Sequence, residues 1–334
     1  MCENPNTPDN LTESENTKVE VKPNKKKKKP SKFSRAVNVI ITGIAVFVLL
    51  ISGTICVRYF MDVYGAKEQA EEISELVTEP TEGYPSEPAE VQPKYRKAYN
   101  ENNDLVGWIT VPNTTINHPV MQSDDNNFYL RHNFYKEYYR RGTVFMDYRN
   151  SVDPFDKNTI LYGHNYLDST MFSDLEKYKD IEFYKTAPVI TFNTIYKDYQ
   201  WKVFAVFLTT ASPELDNGYV FNYIYPAMTD ENFTEFIAEV EKRSLYHTGV
   251  EVLPTDKILT LSTCTRDMDL SRSKQEDARC VVMARLVRDG EDAPVDTSLA
   301  TVNENPKYPQ LWYDKYNIPN PYINDEKWYP KGIE

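Results

Sequence analysis

Cysteine is scarce in this chain, since only four of its 334 residues are cysteines. Cys2 lies near the amino terminus and Cys56 belongs to a long uncharged segment, which leaves Cys264 and Cys280 as the only two in the rest of the chain. A framework of disulfides is therefore excluded beyond one possible bridge. In a chain that otherwise does without cysteine, a retained thiol is more typical of a reactive group than of a cross-link.

Positive charge is also in short supply. The chain has 38 Lys and Arg against 50 Asp and Glu, a formal net charge of -12, and no stripe of basic residues interleaved with aromatic ones. This composition argues against a nucleic-acid partner. A metal constellation is lacking as well, because Glu231, Glu235, Glu239 and Glu241 have the spacing of a solvated helix face. We predict no metal and no cofactor.

Charge of either sign is missing from residues 36–57, which lie between Arg35 and Arg58. As a helix these residues would extend about 33 Å, enough to cross a hydrocarbon core of about 30 Å. The competing interpretation is a signal peptide, whose apolar region is shorter, about 7 to 15 residues. Basic residues at 25–29, Lys32 and Arg35 precede the segment and few follow it. We therefore predict a single-pass helix in the cell membrane, with a cytoplasmic amino terminus and the bulk of the chain outside the cell.

Composition divides the chain into five parts. We predict a disordered basic cytoplasmic tail at 1–35, a transmembrane helix at 36–57, a helical and then acidic linker at 58–94, a globular catalytic domain at 95–288, and a Pro/aromatic-rich carboxy-terminal extension at 289–334. The extension is too aromatic for a pure linker, so we expect it to fold back on the domain.

Short β-type runs dominate the globular part. They lie at 106–111, 115–121, 143–146, 159–162, 189–192, 200–209, 257–263 and 280–287. Seven or eight such runs with long loops between them favour a closed barrel over alternating βαβ units. One amphipathic helix is predicted at about 230–243, with Thr229 as its cap. The fold class is thus mostly β: a closed seven- to eight-stranded barrel with peripheral helices, preceded by one transmembrane helix.

A thiol and a guanidinium stand at facing ends of two of these runs. Cys264 ends one apolar, β-branched run, and Arg279 begins the next. If the two runs pair as neighbouring strands, a nucleophile and a fixed positive charge face the same cleft. Fourteen residues separate them, which excludes a tyrosine-phosphatase loop.

Such a pair lacks a base, and the chain has only four histidines. His164 is the candidate, because Gly163 before it ends an apolar strand and carries the imidazole to a barrel rim. His118, His132 and His247 have surroundings typical of structural or surface histidines.

With these residues the chain resembles the sortases, and among them class B. The resemblance covers roughly residues 95–287 and rests on four segments in this order behind an amino-terminal anchor: Gly142-Thr143-Val144-Phe145-Met146-Asp147-Tyr148-Arg149-Asn150, Leu161-Tyr162-Gly163-His164, Thr260-Leu261-Ser262-Thr263-Cys264, and Arg279-Cys280-Val281-Val282. It implies a sortase-type barrel and a membrane-anchored cysteine transpeptidase. Such an enzyme cuts the carboxy-terminal sorting motif of a secreted protein after Thr, and joins the new end to a peptidoglycan or pilin amine.

The resemblance also implies roles for individual residues. Cys264 is expected to form the thioacyl intermediate, His164 to act as acid and then base, and Arg279 to hold the substrate carbonyl or the oxyanion. The family's substrate-binding positions fall on Asn126, Leu130, Tyr162, Thr209, Tyr219, Val220 and Ser262. Leu130, Tyr162 and Val220 could equally be core residues.

Several alternatives stay open at this point. A catalytically silent, membrane-tethered module could hold a peptide or wall polymer in the same groove. A general cysteine protease is disfavoured, because Cys264 lacks the Cys-Gly-Ser-Cys-Trp context. Cys280 should point away from the cleft and form a buried thiol, with a redox partnership to Cys264 as the other interpretation. Nothing in the groove residues decides which sorting motif is read.

Overall fold

The computed structural model describes residues 32–77, 90–166 and 168–332. Residues 1–31 of the predicted basic tail and residues 78–89 of the predicted linker lie outside this part of the chain. The chain forms two compact units, residues 1–60 and residues 61–334.

Helix α1 (Lys32–Glu75) begins in the first unit. From Arg35 onward it is long and apolar enough to cross a membrane, with a mean hydropathy of 2.6 in its most apolar stretch, none of which is buried. The helix continues past the predicted boundary at residue 57, because the helix-forming residues that follow contain no proline.

Eight strands close into the barrel that the sequence predicts. They are β1 (Leu105–Thr110), β2 (Asn117–Met121), β3 (Phe145–Met146), β4 (Asn158–Tyr162), β5 (Val189–Thr194), β6 (Gln200–Thr210), β8 (Ile258–Cys264) and β9 (Ala278–Leu286), and β7 (Tyr246–His247) precedes β8 along the chain. Their order around the barrel is β1-β2-β3-β4-β8-β9-β6-β5, and β1 pairs with β5 to close it. Strand β10 (Thr301–Val302) pairs with β7 in a separate small sheet.

Besides α1, the described residues form four further α-helices, all outside the barrel: α2 (Arg96–Glu101), α3 (Ile181–Thr186), α4 (Asp230–Arg243) and α5 (Gln310–Tyr316). The bounds of α4 are those predicted from the sequence. The hydroxyl of Thr229 accepts a hydrogen bond from the backbone N–H of Asn232 (3.2 Å), which caps the helix as expected.

Apolar side chains cover both faces of the central strands. Leu161, Leu261 and Val282 belong to the cluster that fills the barrel. The opposite face of β8 and β9, represented by Ile258 and Val281, packs under α4. Because both faces are apolar, the sequence of β8 is a nearly continuous buried run and does not alternate between apolar and polar residues.

The carboxy-terminal extension lies on the domain as far as residue 332. Its helix α5 buries Leu311 beside Leu208 of β6, and Trp328 packs against the cluster under α4. The extension thus packs at two places: α5 lies against Leu208 and Cys280, and Trp328 lies against the cluster under α4.

Candidate active site

Cys264 and Arg279 are partners in the antiparallel pairing of β8 and β9. Both are half-buried, and both project from the face that α4 covers further along the strands. Cys280, the next residue of β9, points the other way and is fully buried beside Leu208. It is a free thiol, as is Cys264, and burial raises the pKa of the Cys280 thiol.

The parallel pairing of β4 with β8 brings His164 to this cysteine. Tyr162 ends β4 opposite Ser262, and two bonds extend the contact beyond the strand: the N–H of Gly163 donates to the carbonyl of Ser262 (3.3 Å), and the hydroxyl of Thr263 donates to the carbonyl of Gly163 (2.7 Å). Continuing this register places His164 beside Cys264.

Gly163 has a steric reason to be glycine. A Cβ at this position would lie 2.6 Å from Cγ of the Phe172 ring, which is fully buried. The chain can therefore follow β8 up to His164 only without a side chain here.

The three side chains line one open cleft of about 420 Å³. Its other lining residues are Arg131, Arg140, Asn165, Tyr166, Gln275, Glu276 and Asp277. Sequence reasoning did not identify Arg131 or Arg140, because both lie in an irregular loop, outside the segments that carry Cys264, His164 and Arg279. Asn165 could have been identified from the sequence as a cleft residue, because it follows His164 directly. Its side-chain amide donates to the carbonyl of Cys264 (2.7 Å).

The imidazole of His164 is fixed by a backbone carbonyl. Its Nε2 lies 3.0 Å from the carbonyl oxygen of Leu130, and a carbonyl only accepts, so the hydrogen sits on Nε2 and Nδ1 remains free to exchange a proton. Burial lowers the pKa of His164; the Leu130 bond opposes this, while the charges of Arg131 and Arg279 add to it.

The guanidinium of Arg279 is held beside the cleft by Asp277, with Nη2 to Oδ1 at 2.5 Å. Burial works against its charge, but Cys264, Tyr223 and Asp277 more than compensate and raise the pKa of Arg279. A permanent, oriented positive charge therefore stands opposite the thiol.

A buried carboxylate, Asp147, links two of the residues expected to bind substrate. Asp147 is fully buried and accepts hydrogen bonds from the Asn126 amide (3.0 Å), the Tyr162 hydroxyl (2.9 Å) and the Arg149 guanidinium (2.8 Å). Asp147 thus joins two expected substrate-binding residues, Asn126 and Tyr162. From the sequence, Asp147 was recognised only as a member of the Gly142 to Asn150 segment.

The other expected substrate-binding residues differ in their distance from Cys264 and Arg279. Ser262 is buried two residues before Cys264, and Thr209 is the partner of Arg279 across β6 and β9. Tyr219 instead lines a different pocket, which Thr209 also borders, and its hydroxyl donates to the carbonyl of Trp328 (3.0 Å). The structure therefore does not bring Tyr219 to the cleft; Val220 beside it is half-buried.

Tyr223, four residues further on, is the tyrosine of this loop that contacts β8. Its hydroxyl lies 2.8 Å from the Ser262 hydroxyl. Burial raises the pKa of Tyr223. The loop has no strand or helix periodicity, so the sequence offers no signal that would choose Tyr223 over Tyr219.

Within residues 32–77, 90–166 and 168–332, no group of three or more His, Cys, Asp or Glu side chains could hold a metal ion. The cleft offers one thiol, one imidazole and, opposite the thiol, the guanidinium of Arg279. This combination is suited to nucleophilic attack on a carbonyl with stabilisation of the charge that develops.

Known proteins resemble this chain in sequence and in fold. The family model for the Sortase domain matches residues 109–287. Sortase B of Listeria monocytogenes serovar 1/2a is 38% identical over 198 residues, which cover 59% of this chain and 76% of that protein.

Two solved structures show the same barrel. The Staphylococcus aureus sortase B-substrate complex has a TM-score of 0.58 and 31% identity, and the match covers 68% of this chain and 99% of that one. A sortase B complexed with triglycine has a TM-score of 0.56 and 31% identity, and the match covers 68% and 98%. Since the family match spans more than half of the chain and the barrel is shared, this protein belongs to the sortase family of transpeptidases and, within it, to class B.

Proposed function

We propose that this chain is a membrane-anchored transpeptidase in which Cys264, His164 and Arg279 carry the reaction. It cleaves the carboxy-terminal sorting motif of secreted proteins after Thr and joins them to a cell-wall peptidoglycan amine or a pilin amine. The observation that carries the proposal is the convergence of the three side chains on one cleft, from β8, from β9 and from the residues just after β4.

The first half of the reaction forms a thioester. The thiolate of Cys264 attacks the carbonyl carbon of the scissile Thr, and the resulting tetrahedral intermediate expels the amine of the next residue. Imidazolium His164 donates the proton that this amine needs, from Nδ1, while Leu130 holds the ring through Nε2.

The second half reverses the proton transfer. The acceptor amine attacks the thioester, neutral His164 takes its proton, and Cys264 leaves as thiolate. Arg279 stabilises the oxyanion in both halves, because its guanidinium is charged throughout and is oriented by Asp277. We propose that Asn126, Leu130, Tyr162 and Ser262 bind the peptide. The carbonyl of Leu130 contacts His164, and Tyr162 ends β4 opposite Ser262, two residues before Cys264.

Two related structures support the substrate classes. The Staphylococcus aureus enzyme was solved with a substrate and another sortase B with triglycine, a peptide with a free amine. By similarity, a peptide carrying a sorting motif and a peptide amine are the two substrates we propose here.

The membrane anchor is the apolar part of α1. Its length and hydropathy suit a bilayer, and the basic residues before it favour a cytoplasmic amino terminus. The catalytic domain would then act outside the cell membrane, where secreted proteins and wall precursors meet.

The test is a joining reaction. Full-length protein in detergent is incubated with peptides that carry different sorting motifs and with triglycine, and the products are identified by mass spectrometry. We expect a peptide cut after Thr and joined to triglycine. Cys264→Ala should abolish the product, and the matched control Cys280→Ala should retain it, because that thiol is buried away from the cleft.

Other outcomes would contradict the proposal. Release of free acid alone, despite excess triglycine, would indicate a protease. Absence of both product and a covalent adduct with a vinyl sulfone sorting peptide would indicate a silent binding module. Full activity of Cys264→Ala would exclude that thiol as the nucleophile.

A further inference from the structure

Asp277, the residue that orients Arg279, is the last residue of the loop between β8 and β9, residues 265–277. We call these residues the β8–β9 loop. The loop forms one wall of the cleft, because Gln275, Glu276 and Asp277 all line it. The position of the loop therefore affects where the carboxylate of Asp277 meets the guanidinium of Arg279.

Two segments support Asp277. At the end of β6, the hydroxyl of Thr210 donates to the backbone carbonyl of Asp277 (3.0 Å), and two residues later the hydroxyl of Ser212 donates to its Oδ2 (3.1 Å). Within the β8–β9 loop, the carboxylate of Asp269 accepts from the backbone N–H of Glu276 (2.9 Å), directly before Asp277. Asp277 is thus held by two segments that lie far apart in the sequence.

Helix α5 of the carboxy-terminal extension contacts both supports. On the side of β6, the backbone N–H of Gln310 donates to the carboxylate of Asp216 (2.7 Å). On the side of the β8–β9 loop, the ammonium of Lys315 donates to the carbonyl of Asp267 (2.6 Å). Gln310 begins the helix and Lys315 lies in its last turn, so one helix links the two segments that hold Asp277.

Apolar packing joins the same parts. Leu311 of α5 and Met268 of the β8–β9 loop belong to one buried cluster, together with side chains of β6 and β9. Met268 is fully buried, and the other buried residues of the loop, Thr265 and Glu276, are polar. Met268 is therefore the apolar anchor of the loop, and α5 supplies part of the cluster that receives it.

We infer that Leu311 and Lys315 are positioning residues for the transpeptidase reaction: helix α5 holds the β8–β9 loop, so that Asp277 keeps the guanidinium of Arg279 directed at the oxyanion. The inference rests on the proposed function, in which Arg279 stabilises that charge. The extension lies outside the family match at 109–287, so part of the support for Arg279 comes from residues beyond the family domain.

The kinetic consequence follows from what each contact fixes. The pairing of β8 with β9 holds the backbone of Arg279, whereas the contacts of α5 act on its guanidinium through Asp277. An oriented donor contributes most where charge develops, in the transition state. Loss of the α5 contacts should therefore lower kcat more than it changes KM.

The experiment compares Lys315→Met, Lys315→Arg and Leu311→Ala with a matched control, Lys331→Met, at a lysine of the same extension that pairs with Glu231 and Glu235 of α4. Full-length proteins in detergent are assayed for joining of a sorting peptide to triglycine. We expect kcat to fall about fivefold in Lys315→Met and about tenfold in Leu311→Ala, with KM little changed. Lys315→Arg, which keeps a donor, should recover most of the loss, and Lys331→Met should behave as wild type.

A double-mutant cycle separates positioning from general loosening of the fold. Because α5 acts through Asp277, Lys315→Met should cost little further activity when it is added to Asp277→Ala. The same fivefold loss in both backgrounds would overturn the inference. So would a wild-type kcat in both Lys315→Met and Leu311→Ala.

Alkylation of Cys264 tests the same contacts without the joining reaction. The ratio of its rates with anionic iodoacetate and neutral iodoacetamide, measured at Cys264 by mass spectrometry, reports the positive charge beside the thiol. We expect Lys315→Met and Leu311→Ala to lower this ratio in the direction of Arg279→Ala, and Lys331→Met to leave it unchanged.

The two readouts distinguish the inference from the function on which it rests. Wild-type protein that joins no peptide would overturn the proposed function. In that case a lowered alkylation ratio in Lys315→Met and Leu311→Ala still supports the hold of α5 on Arg279, and an unchanged ratio in both variants overturns it.

Discussion

The side-chain amide of Asn165 donates a hydrogen bond of 2.7 Å to the backbone carbonyl of Cys264. This bond joins the residue after the proposed base to the proposed nucleophile itself, beyond the last paired residues of β4 and β8. The backbones that carry the imidazole and the thiol are therefore linked at the end of two parallel strands, where the pairing of β4 with β8 has ended.

Loss of that bond should impair catalysis without unfolding the protein. For Asn165→Ala we expect kcat to fall roughly fivefold, the equivalent of about 1 kcal/mol, since one hydrogen bond to a partly buried carbonyl is lost. The joining assay measures it, with the exposed Asn127→Ala as control. A wild-type kcat in Asn165→Ala would mean that strand pairing alone positions the two residues.

Arg279 should not be replaceable by lysine. Arg279→Lys keeps the positive charge but loses the planar, forked donors that Asp277 orients. We expect kcat to fall about 100-fold with a smaller change in KM, as for loss of an oxyanion donor. Arg266→Lys, at a residue two positions after Cys264 with a side chain 55% exposed, is the matched control. Equal activity of both variants would show that charge alone is sufficient.

The charge of Arg131 should contribute, after burial, to lowering the pKa of His164. Burial and the charges of Arg131 and Arg279 lower the pKa of His164, so Arg131→Gln should raise it and extend the imidazolium form to higher pH. Titration of the imidazole by NMR measures the shift. Arg140→Gln removes a charge from the same cleft and should shift this pKa less, because Arg140 is not among the groups that perturb His164.

The same shift has a consequence for stability. Because the folded-state pKa of His164 lies below its unfolded value of about 6.5, the unfolded chain binds the proton more readily as the pH falls through 6.5. His164 therefore costs stability at acid pH, and Arg131→Gln should reduce this cost. A larger acid destabilisation in the variant would contradict the assigned direction.

Asp147 should stabilise the fold around Asn126, Tyr162 and Arg149 at neutral pH. Its burial alone would raise the pKa of the carboxyl, but hydrogen bonds from Arg149, Tyr162 and Asn126 outweigh burial and lower it. The stabilisation is present above the unfolded pKa of about 3.9 and is lost as the pH falls through the lower folded value.

For Asp147→Asn we therefore expect the free energy of unfolding at pH 7 to fall by about 2 to 3 kcal/mol, because Arg149 loses its carboxylate partner. Urea denaturation measures the change, which should shrink at low pH. Asp124→Asn, at an exposed residue of the neighbouring loop, should have little effect. Equal stability of wild type and Asp147→Asn at pH 7 would contradict the prediction.

Local pattern was enough to predict the barrel. Each strand is a short β-branched or aromatic run bounded by turn residues, and α4 has a clear cap and an apolar stripe, so the bounds of these elements follow from the nearby sequence. The pairing of Cys264 with Arg279 also follows, because consecutive antiparallel strands joined by one loop are usually neighbours.

Contacts between distant segments could not be read in the same way. The alignment of His164 with Cys264 depends on parallel pairing between residues 99 or 100 apart. The strand end at Gly163 made His164 the candidate base, but no local pattern showed that its strand pairs with that of Cys264. Tyr219 and Tyr223 lie in an irregular loop, where no periodicity tells which one faces Ser262. The cover that Trp328 gives this loop depends on residues about 100 positions away, which no local signal encodes.

The parallel pairing of β4 with β8 also sets when the enzyme can become active. A ribosome releases the segment with His164 long before Cys264, and β9, with Arg279, comes later still. Contacts of such large sequence separation form slowly, because loop closure must precede them. During synthesis the emerging thiol therefore has no assembled partners until nearly the whole barrel is present, which delays its chemistry to the folded enzyme.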